Sequence, residues 1–331
     1  MTQATIRDVA REAGVSVASV SRVLNRLPNV RPELKDKVET AARRLSYVPH
    51  AGARGLSLSR TGTVGVVLPD LHGEFFSEML RGMDREASAR GMHLLLSNMH
   101  ADPLHGIDAM RSMRGRVDGL VVMAPHVDPD LLFAHLPANV PAVLLNCPDN
   151  RQGRMELRID NAAGARTMVD HLIGTGRRAI VHIAGPRGNI EAEHRAQGYR
   201  QAMASAGLPA IILPGNFDED SGRAAVATMA ARQIAADAVF AANDMMAIGA
   251  MVALRDAGMD VPRKIAVAGF DNIPLARLIS PGLTTMAVDI ADIGARAINR
   301  LSTILSGETV PLTELRSPSL IIRASTQSSS Q

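Results

Sequence analysis

Apolar residues recur at helical spacing from the start of the chain. Ile6, Val9, Ala10 and Ala13 share one face, and a repeat near 3.6 residues predicts a short amphipathic helix. Thr5 stands just ahead as an N-cap, and Gly14 supplies the left-handed conformation that a tight corner requires. Val15 can pack into that corner, and Ser16 caps a second helix. In this helix Val20, Val23 and Leu24 fall on one face, while Ala18, Ser19, Arg22 and Asn25 look outward. Pro32 suits the first turn of a third helix, with Leu34, Val38, Ala41 and Leu45 inward. Two helices joined at a glycine corner and braced by a third form a helix-turn-helix, whose second helix fits a DNA major groove ~12 Å wide.

After Gly62 the pattern changes. Short β-rich runs alternate with amphipathic stretches ending in glycine, which predicts parallel α/β sheets. The pattern is also written twice. Val64–Asp70 answers to Ile180–Pro186, and the helix around Arg81–Arg90 to the one around Ala196–Ala206. Val117–Met123 answers to Ala236–Ala242, and Ala142–Asn146 to Ile265–Asp271. Two similar lobes with a cleft between them follow. Ligands gather beyond the carboxyl ends of parallel strands, where this chain places Asp70, Asn146, Asn243-Asp244 and Asp271. Asp70 and Asp271 would also serve as strand-end caps. Asp160 reads as the cap of the following helix, and Asp118 and Asp237, at paired strand entrances, read as structural. No dinucleotide fingerprint interrupts the pattern, because Gly185-Pro186-Arg187-Gly188 has the wrong spacing.

Composition narrows the class. The chain has 331 residues, 46% of them hydrophobic, enough for more than one domain core. No apolar run reaches the roughly 18–20 residues of a membrane span. The first residues meet Arg7, Asp8, Arg11 and Glu12 in place of an apolar signal core, so a cytoplasmic protein is expected, with no membrane partner. One cysteine, Cys147, excludes an internal disulfide and a multi-cysteine zinc site. Six Phe, two Tyr and no Trp leave little material for stacking single-stranded bases. The net charge is +3, unevenly placed: residues 1–60 hold eleven Lys/Arg against five Asp/Glu. A basic head on a slightly acidic body is what a chain needs when only the head meets phosphate, although a soluble face would use the same charges. On the second helix, Val17 and Ala18 permit close approach and contact with thymine methyls, and Arg22 can reach guanine O6 and N7 with two donors. Thr5, Ser21 and Asn25 are expected on phosphates, beside the outward Ser16 and Ser19.

The run from Thr5 to Asn25, Thr-Ile-Arg-Asp-Val-Ala-Arg-Glu-Ala-Gly-Val-Ser-Val-Ala-Ser-Val-Ser-Arg-Val-Leu-Asn, resembles the DNA-binding head of LacI/GalR-type regulators. The resemblance continues through Tyr47-Val48-Pro49 and the body to about residue 325. It implies a helix-turn-helix domain over 1–48, a hinge over 49–61 and a periplasmic-binding-protein-like body over 62–331. The first lobe would take about 62–160 and 291–320, and the second about 161–290 and 321–331. The hinge reads on its own as a poor helix or flexible linker, since Gly52 and Gly55 each cost on the order of 1 kcal/mol relative to Ala. The resemblance implies instead a hinge that becomes helical on operator DNA, with Leu56 as a minor-groove wedge. By position it makes Arg195, Asn243 and Asp271 effector ligands and Phe217 a pocket wall, with Phe75 and Phe76 on the opposite lobe. Arg195 would otherwise be an exposed helix residue and the phenylalanines plain core.

Chemistry is not expected. His72, His100 and His105 follow strand ends without metal spacing, and no nucleophile-elbow or phosphate-loop motif occurs. The resulting expectation is a repressor of carbohydrate-utilisation genes, with no metal or cofactor, controlled by a small sugar-like effector. It would bind a pseudo-palindromic operator as a homodimer, and the polar tail from Arg323 lacks a tetramerising heptad. A purine- or nucleoside-responsive regulator is the alternative, because Phe75, Phe76 and Phe217 could sandwich a base. A transporter's solute-binding protein is the reading from another class, opposed by the basic head.

Overall fold

The computed structural model describes residues 4–25, 30–47, 60–100, 102–147 and 153–327. Leu56, Gly52, Gly55 and most of the expected hinge lie outside the described residues. Two compact units divide the chain: residues 1–63 with 115–118, and residues 64–114 with 119–331.

In the first unit, α1 (Ile6–Ala13), α2 (Val17–Leu24) and α3 (Pro32–Arg44) form where the periodicity placed them. Thr5 and Asp8 close a reciprocal capping box: Thr5 N–H donates to Asp8 Oδ2 at 3.0 Å and the Thr5 hydroxyl accepts from Asp8 N–H. Such a box satisfies two of the donors that a helix start leaves orphaned. Gly14 takes φ +65°, turning the chain so that Ser16 can cap α2 by accepting from Ser19 N–H at 3.1 Å. Val9, Val20, Val23, Val38 and Ala41 are buried between the three helices. Leu34 and Leu45, expected inside, are half-buried against that core.

In the second unit, the first lobe contains β1 (Thr63–Leu68), α4 (Glu74–Ala89), β2 (His93–Asn98), α5 (Pro103–Ser112), β3 (Gly119–Met123), α6 (Pro129–His135), β4 (Ala142–Leu145) and β5 (Met155–Ile159). The second contains α7 (Asn161–Gly174), β6 (Ile180–Ile183), α8 (Ile190–Ser205), β7 (Ile211–Leu213), α9 (Glu219–Ala231), β8 (Ala238–Ala241), α10 (Asp244–Asp256), β9 (Ala266–Asp271), a 3-10 turn (Pro274–Arg277) and β10 (Thr284–Ala287). The chain then returns to the first lobe with α11 (Ile290–Leu305) and β11 (Thr313–Arg316), and finishes in the second with β12 (Ser319–Ile321).

The strand orders are β11-β5-β4-β3-β1-β2 and β12-β10-β9-β8-β6-β7. The repeated runs of sequence therefore occupy matching places in the two sheets. β1, β3, β4, β5 and β11 pair in parallel, as do β7, β6, β8, β9 and β10, while β12 joins β10 antiparallel. The final crossing falls between Arg316 and Ser319, so residues 319–320 lie in the second sheet and not the first lobe. Helix α4 also begins earlier than its expected stretch, at Glu74, which puts Phe75 and Phe76 on its first turn.

The paired aspartates are structural braces. Asp118 accepts from the Thr61 hydroxyl at 2.9 Å and Gly62 N–H at 2.8 Å, and Asp237 accepts from Arg178 N–H and Ala179 N–H at 2.8 and 3.0 Å. Asp160 caps α7 by accepting from Ala163 N–H at 3.0 Å. Within each lobe helices cross at glycine: a Cβ on Gly82 would meet the Ala291 carbonyl, and one on Gly249 the Glu219 carbonyl.

Candidate functional site

Two surfaces concentrate the residues singled out from the sequence. The first is the outer face of α2. Val17 is 42% exposed, and Ala18 and Arg22 are exposed beside it. The inner face is held by Val20 and Val23, which leaves the opposite side free for a groove. Arg11 and Arg44 of the same unit are paired with Asp8 and Glu12, at 3.3 and 3.4 Å. Arg22 has no hydrogen bond or ion pair among the described residues. Asn25 donates to the Ser21 hydroxyl at 3.2 Å. The Thr5 hydroxyl donates to Asp8 Oδ2 at 2.7 Å, so its first task is the cap.

The second surface is a cavity of about 280 Å³ between the lobes. The first lobe supplies Asp70, Phe75 and Phe76 to its wall, and the second Arg195, Phe217, Asn243 and Asp271. Seven of the eight expected effector residues thus meet. Asn146 does not line the cavity. Its φ of +46° turns it into the protein, where Nδ2 donates to Glu191 Oε1 at 2.9 Å and Oδ1 accepts from Ile159 N–H at 2.7 Å.

Arg195 organises the floor. It is 3% exposed, so the exposed-helix alternative does not hold. Its Nε donates to Asn161 Oδ1 at 2.8 Å, Nη1 donates to the Ala242 carbonyl, and Nη2 stands 3.2 Å from Asp271 Oδ1 and 4.0 Å from Glu191 Oε1. The guanidinium lies 4.0 Å from the Phe270 ring centroid, a geometry that attracts a cation. Asp271 ends β9 at φ +108° and is 4% exposed, and its Oδ1 has no aligned hydrogen-bond donor. Burial pushes its carboxyl up to about 7 against the pull of Arg195, with Glu191 pushing the same way as burial. Burial raises Glu191 and Asp244 as well. Asp244 faces away from the cavity wall, accepting from the Thr285 hydroxyl and from Ile273 N–H.

Asn243 does two jobs: its Oδ1 caps α10 on Met246 N–H at 3.0 Å, and its Nδ2 donates to the Phe217 carbonyl at 2.8 Å. That second bond holds Phe217, at φ +65°, against the cavity. Phe75 and Phe76 meet edge to face at 5.3 Å on the other side.

Sequence reasoning missed Glu191, Asn189, His126 and Glu74. Glu191 precedes Arg195 by one helical turn on the same face, a spacing that would have found it. Asn189 Nδ2 lies 3.3 Å from His126 Nε2 across the cleft, and burial holds His126 below the ordinary imidazole range. Ile190 N–H donates to the Pro125 carbonyl at 3.2 Å, and Leu275 N–H to Glu74 Oε2 at 3.1 Å. The lobes therefore close on the cavity through hydrogen bonds from both sides. No group of His, Cys, Asp and Glu among the described residues could hold a metal ion, and no described helix is long and apolar enough to cross a membrane.

Residues 5–50 match the model for bacterial regulatory proteins of the lacI family, and residues 169–326 match a periplasmic binding protein-like domain. Catabolite control protein A of Priestia megaterium is 34% identical over 311 residues, covering 92% of this chain and 94% of that protein. The HTH-type transcriptional regulator GalR of Escherichia coli (strain K12) is 35% identical over 328 residues, covering 97% and 95%. The lac repressor dimer bound to operator and the anti-inducer ONPF superposes with a TM-score of 0.89 at 28% identity, covering 99% of this chain and 100% of that one. With a lacI-type head matched over residues 5–50 and relatives of 34–35% identity along more than nine-tenths of its length, the chain belongs to the lacI family of bacterial regulatory proteins.

Proposed function

We propose that the chain is a ligand-controlled repressor of carbohydrate-utilisation genes, acting in the cytoplasm as a homodimer and carrying out no catalysis. The observation that supports this most is the cavity lined by charged and aromatic side chains, closed by hydrogen bonds from both lobes, in a chain whose α2 presents Arg22 exposed and without a partner among the described residues. Arg22 with Val17 and Ala18 reads base edges in the major groove. Ser16, Ser19, Ser21, Asn25 and Thr5 set register on phosphates, and Leu56 wedges the minor groove. The expected division into head 1–48, hinge 49–61 and body 62–331 serves this arrangement.

At the cavity, Asp271, Arg195, Asn243 and Asp70 hydrogen-bond the hydroxyls of a small sugar while the phenylalanine faces cover its C–H side. Asn146 acts one step back, through Glu191. Ligand that binds one relative lobe position better than the other shifts the hinge and hence operator affinity, a coupling of typically 1–3 kcal/mol. Leu96 and Leu278, 43% and 72% exposed and one on each lobe, are the kind of apolar surface a second copy covers. Phe75 and Phe76 favour a purine as the second reading of the ligand.

The test is a binding titration of the full chain to duplexes from its own upstream region. It is repeated with each of a panel of pentoses, hexoses and nucleobases. Tight, salt-sensitive binding to one palindrome, altered by one ligand class, supports the proposal; equal binding to scrambled duplexes opposes it. Light scattering checks the dimer.

A further inference from the structure

The charge of the cavity is lopsided. Asp70, Glu74, Glu191, Asp218, Glu219 and Asp271 all line it, and Arg195 is the only arginine or lysine among the lining residues. Its charge is balanced within the protein by Asp271 and Glu191, while Nε and Nη1 donate to Asn161 and to the Ala242 carbonyl. His126 faces Asn189, and burial disfavours the charged form of its ring. Several carboxylate oxygens have donors elsewhere. Asp70 Oδ1 accepts from Leu71 and His72 N–H, Asp218 from Ser221 N–H and Asn216, and Glu74 Oε2 from Leu275 N–H. Two are different. Asp271, at the cavity wall, has Arg195 Nη2 at 3.2 Å from Oδ1 as its one ion-pair partner and accepts no hydrogen bond of good geometry, and the exposed Glu219 has no partner among the described residues. An anionic ligand such as a sugar phosphate would face six acids with no arginine or lysine beyond Arg195 among the described lining residues.

Independently of the charge, the cavity is lined by phenylalanine side chains from both lobes. Phe75 and Phe76 stand on the first lobe and Phe217 on the second. Carboxylates set beside aromatic rings are the surroundings in which an organic ammonium is held, by charge-assisted hydrogen bonds and by the ring quadrupole.

We propose that the cavity selects a hydroxylated ring compound bearing a protonated amine, an aminated sugar, with Asp271 and Glu219 facing the ammonium and the phenylalanines covering the ring. This rests on the reading of the cavity as the effector site and specifies its ligand class. Of the lining amides, Asn243 and Asn189 are engaged within the protein, and Asn216, whose Nδ2 donates to Asp218, keeps its Oδ1 for a hydroxyl.

The experiment is calorimetric titration of the full-length chain with matched probes: glucose, galactose and mannose, their 2-amino-2-deoxy forms, and the N-acetylated forms as neutral controls of greater bulk. The amino form of one sugar is expected to bind at least tenfold more tightly than both neutral forms, a difference of about 1.4 kcal/mol. Asp271→Asn is expected to cut that preference to threefold or less. Because a buried substitution can disturb folding, Glu219→Gln on the exposed rim is the second variant, expected to narrow the preference by a smaller factor with an unchanged melting temperature. Equal or tighter binding of a neutral form, no binding by any probe, or a preference untouched in both variants overturns the proposal. The regulator reading is scored separately. A neutral sugar that binds as tightly as its amino form and moves operator affinity overturns the ammonium assignment alone, whereas a tightly bound amine that leaves operator affinity unmoved supports the assignment and opposes the regulator reading.

Discussion

Arg195 Nη2 lies 3.2 Å from Asp271 Oδ1 across the junction of α8 and β9, yet the two are not aligned as a hydrogen bond. The carboxyl therefore receives attraction without full solvation. Burial, together with Glu191 on the same helix as Arg195, holds it at about 7, with Asp244 of α10 also close enough to feel its charge. An acid whose folded pKa is raised favours folding while protonated. Its contribution is complete below the ordinary carboxylate value near 4 and is lost as pH rises through about 7. Asp271→Asn, which keeps the shape without the charge, is expected to raise the melting temperature at pH 8 relative to the parent. The gain shrinks toward zero at pH 4. A gain that grew on acidification would contradict this account of the pair.

Removing Arg195 is a different matter. Arg195→Ala leaves Glu191 and Asp271 buried with no cation and deprives Asn161 and the Ala242 carbonyl of a donor. Breaking a buried ion pair costs about 3–5 kcal/mol, so calorimetry is expected to show a fall in melting temperature on the order of 10 °C. The network makes it a stability variant first. An unchanged melting temperature would mean that the floor is held by something else.

Helix crossings give an independent check. Gly249→Ala drives a methyl into the Glu219 carbonyl, and Gly222→Ala drives one into the Met246 carbonyl, from opposite sides of the α9–α10 contact. Overpacking costs about 1–3 kcal/mol. Because Glu219 also lines the cavity, Gly249→Ala is expected to weaken ligand binding along with stability. Gly174→Ala, at the end of α7 with open space around it, serves as the control and is expected to be neutral or slightly stabilising in the same melt.

For the head, Arg22→Ala is expected to remove discrimination worth about 1–3 kcal/mol at one base pair of the operator. The side chain is exposed and has no partner among the described residues, so the melt should not move. Anisotropy titrations against matched and singly changed duplexes check this; retained discrimination at every position would assign base reading to other residues.

Much of this was legible beforehand, and for physical reasons. The two lobes declared themselves because each buried strand is a short apolar run that stops at a polar residue, and the runs recur in the same order in both halves. Thr5, Ser16 and Asp160 were found because caps obey local hydrogen-bond rules. The failures are equally specific. Asn146 sits at a strand end like Asp271, but its left-handed backbone directs it toward Glu191 and Ile159, which no spacing rule encodes. Glu191 was missed because attention to strand ends overlooks a carboxylate one turn away on a helix. The start of α4 was placed too late because Phe75-Phe76, two adjacent aromatics facing a cavity, interrupt the amphipathic pattern. The last crossing was misplaced by two residues because β12 is only three residues long and half exposed.

The central claim is that ligand in the cavity governs the grip of α2 on DNA. Its most direct test is the dissociation constant of the full chain for its own palindromic operator, measured at fixed salt with and without saturating ligand. A change of about 5- to 150-fold, the span of ordinary coupling energies, is the predicted result. An identical constant in both conditions, with calorimetry proving the cavity filled, would contradict the account.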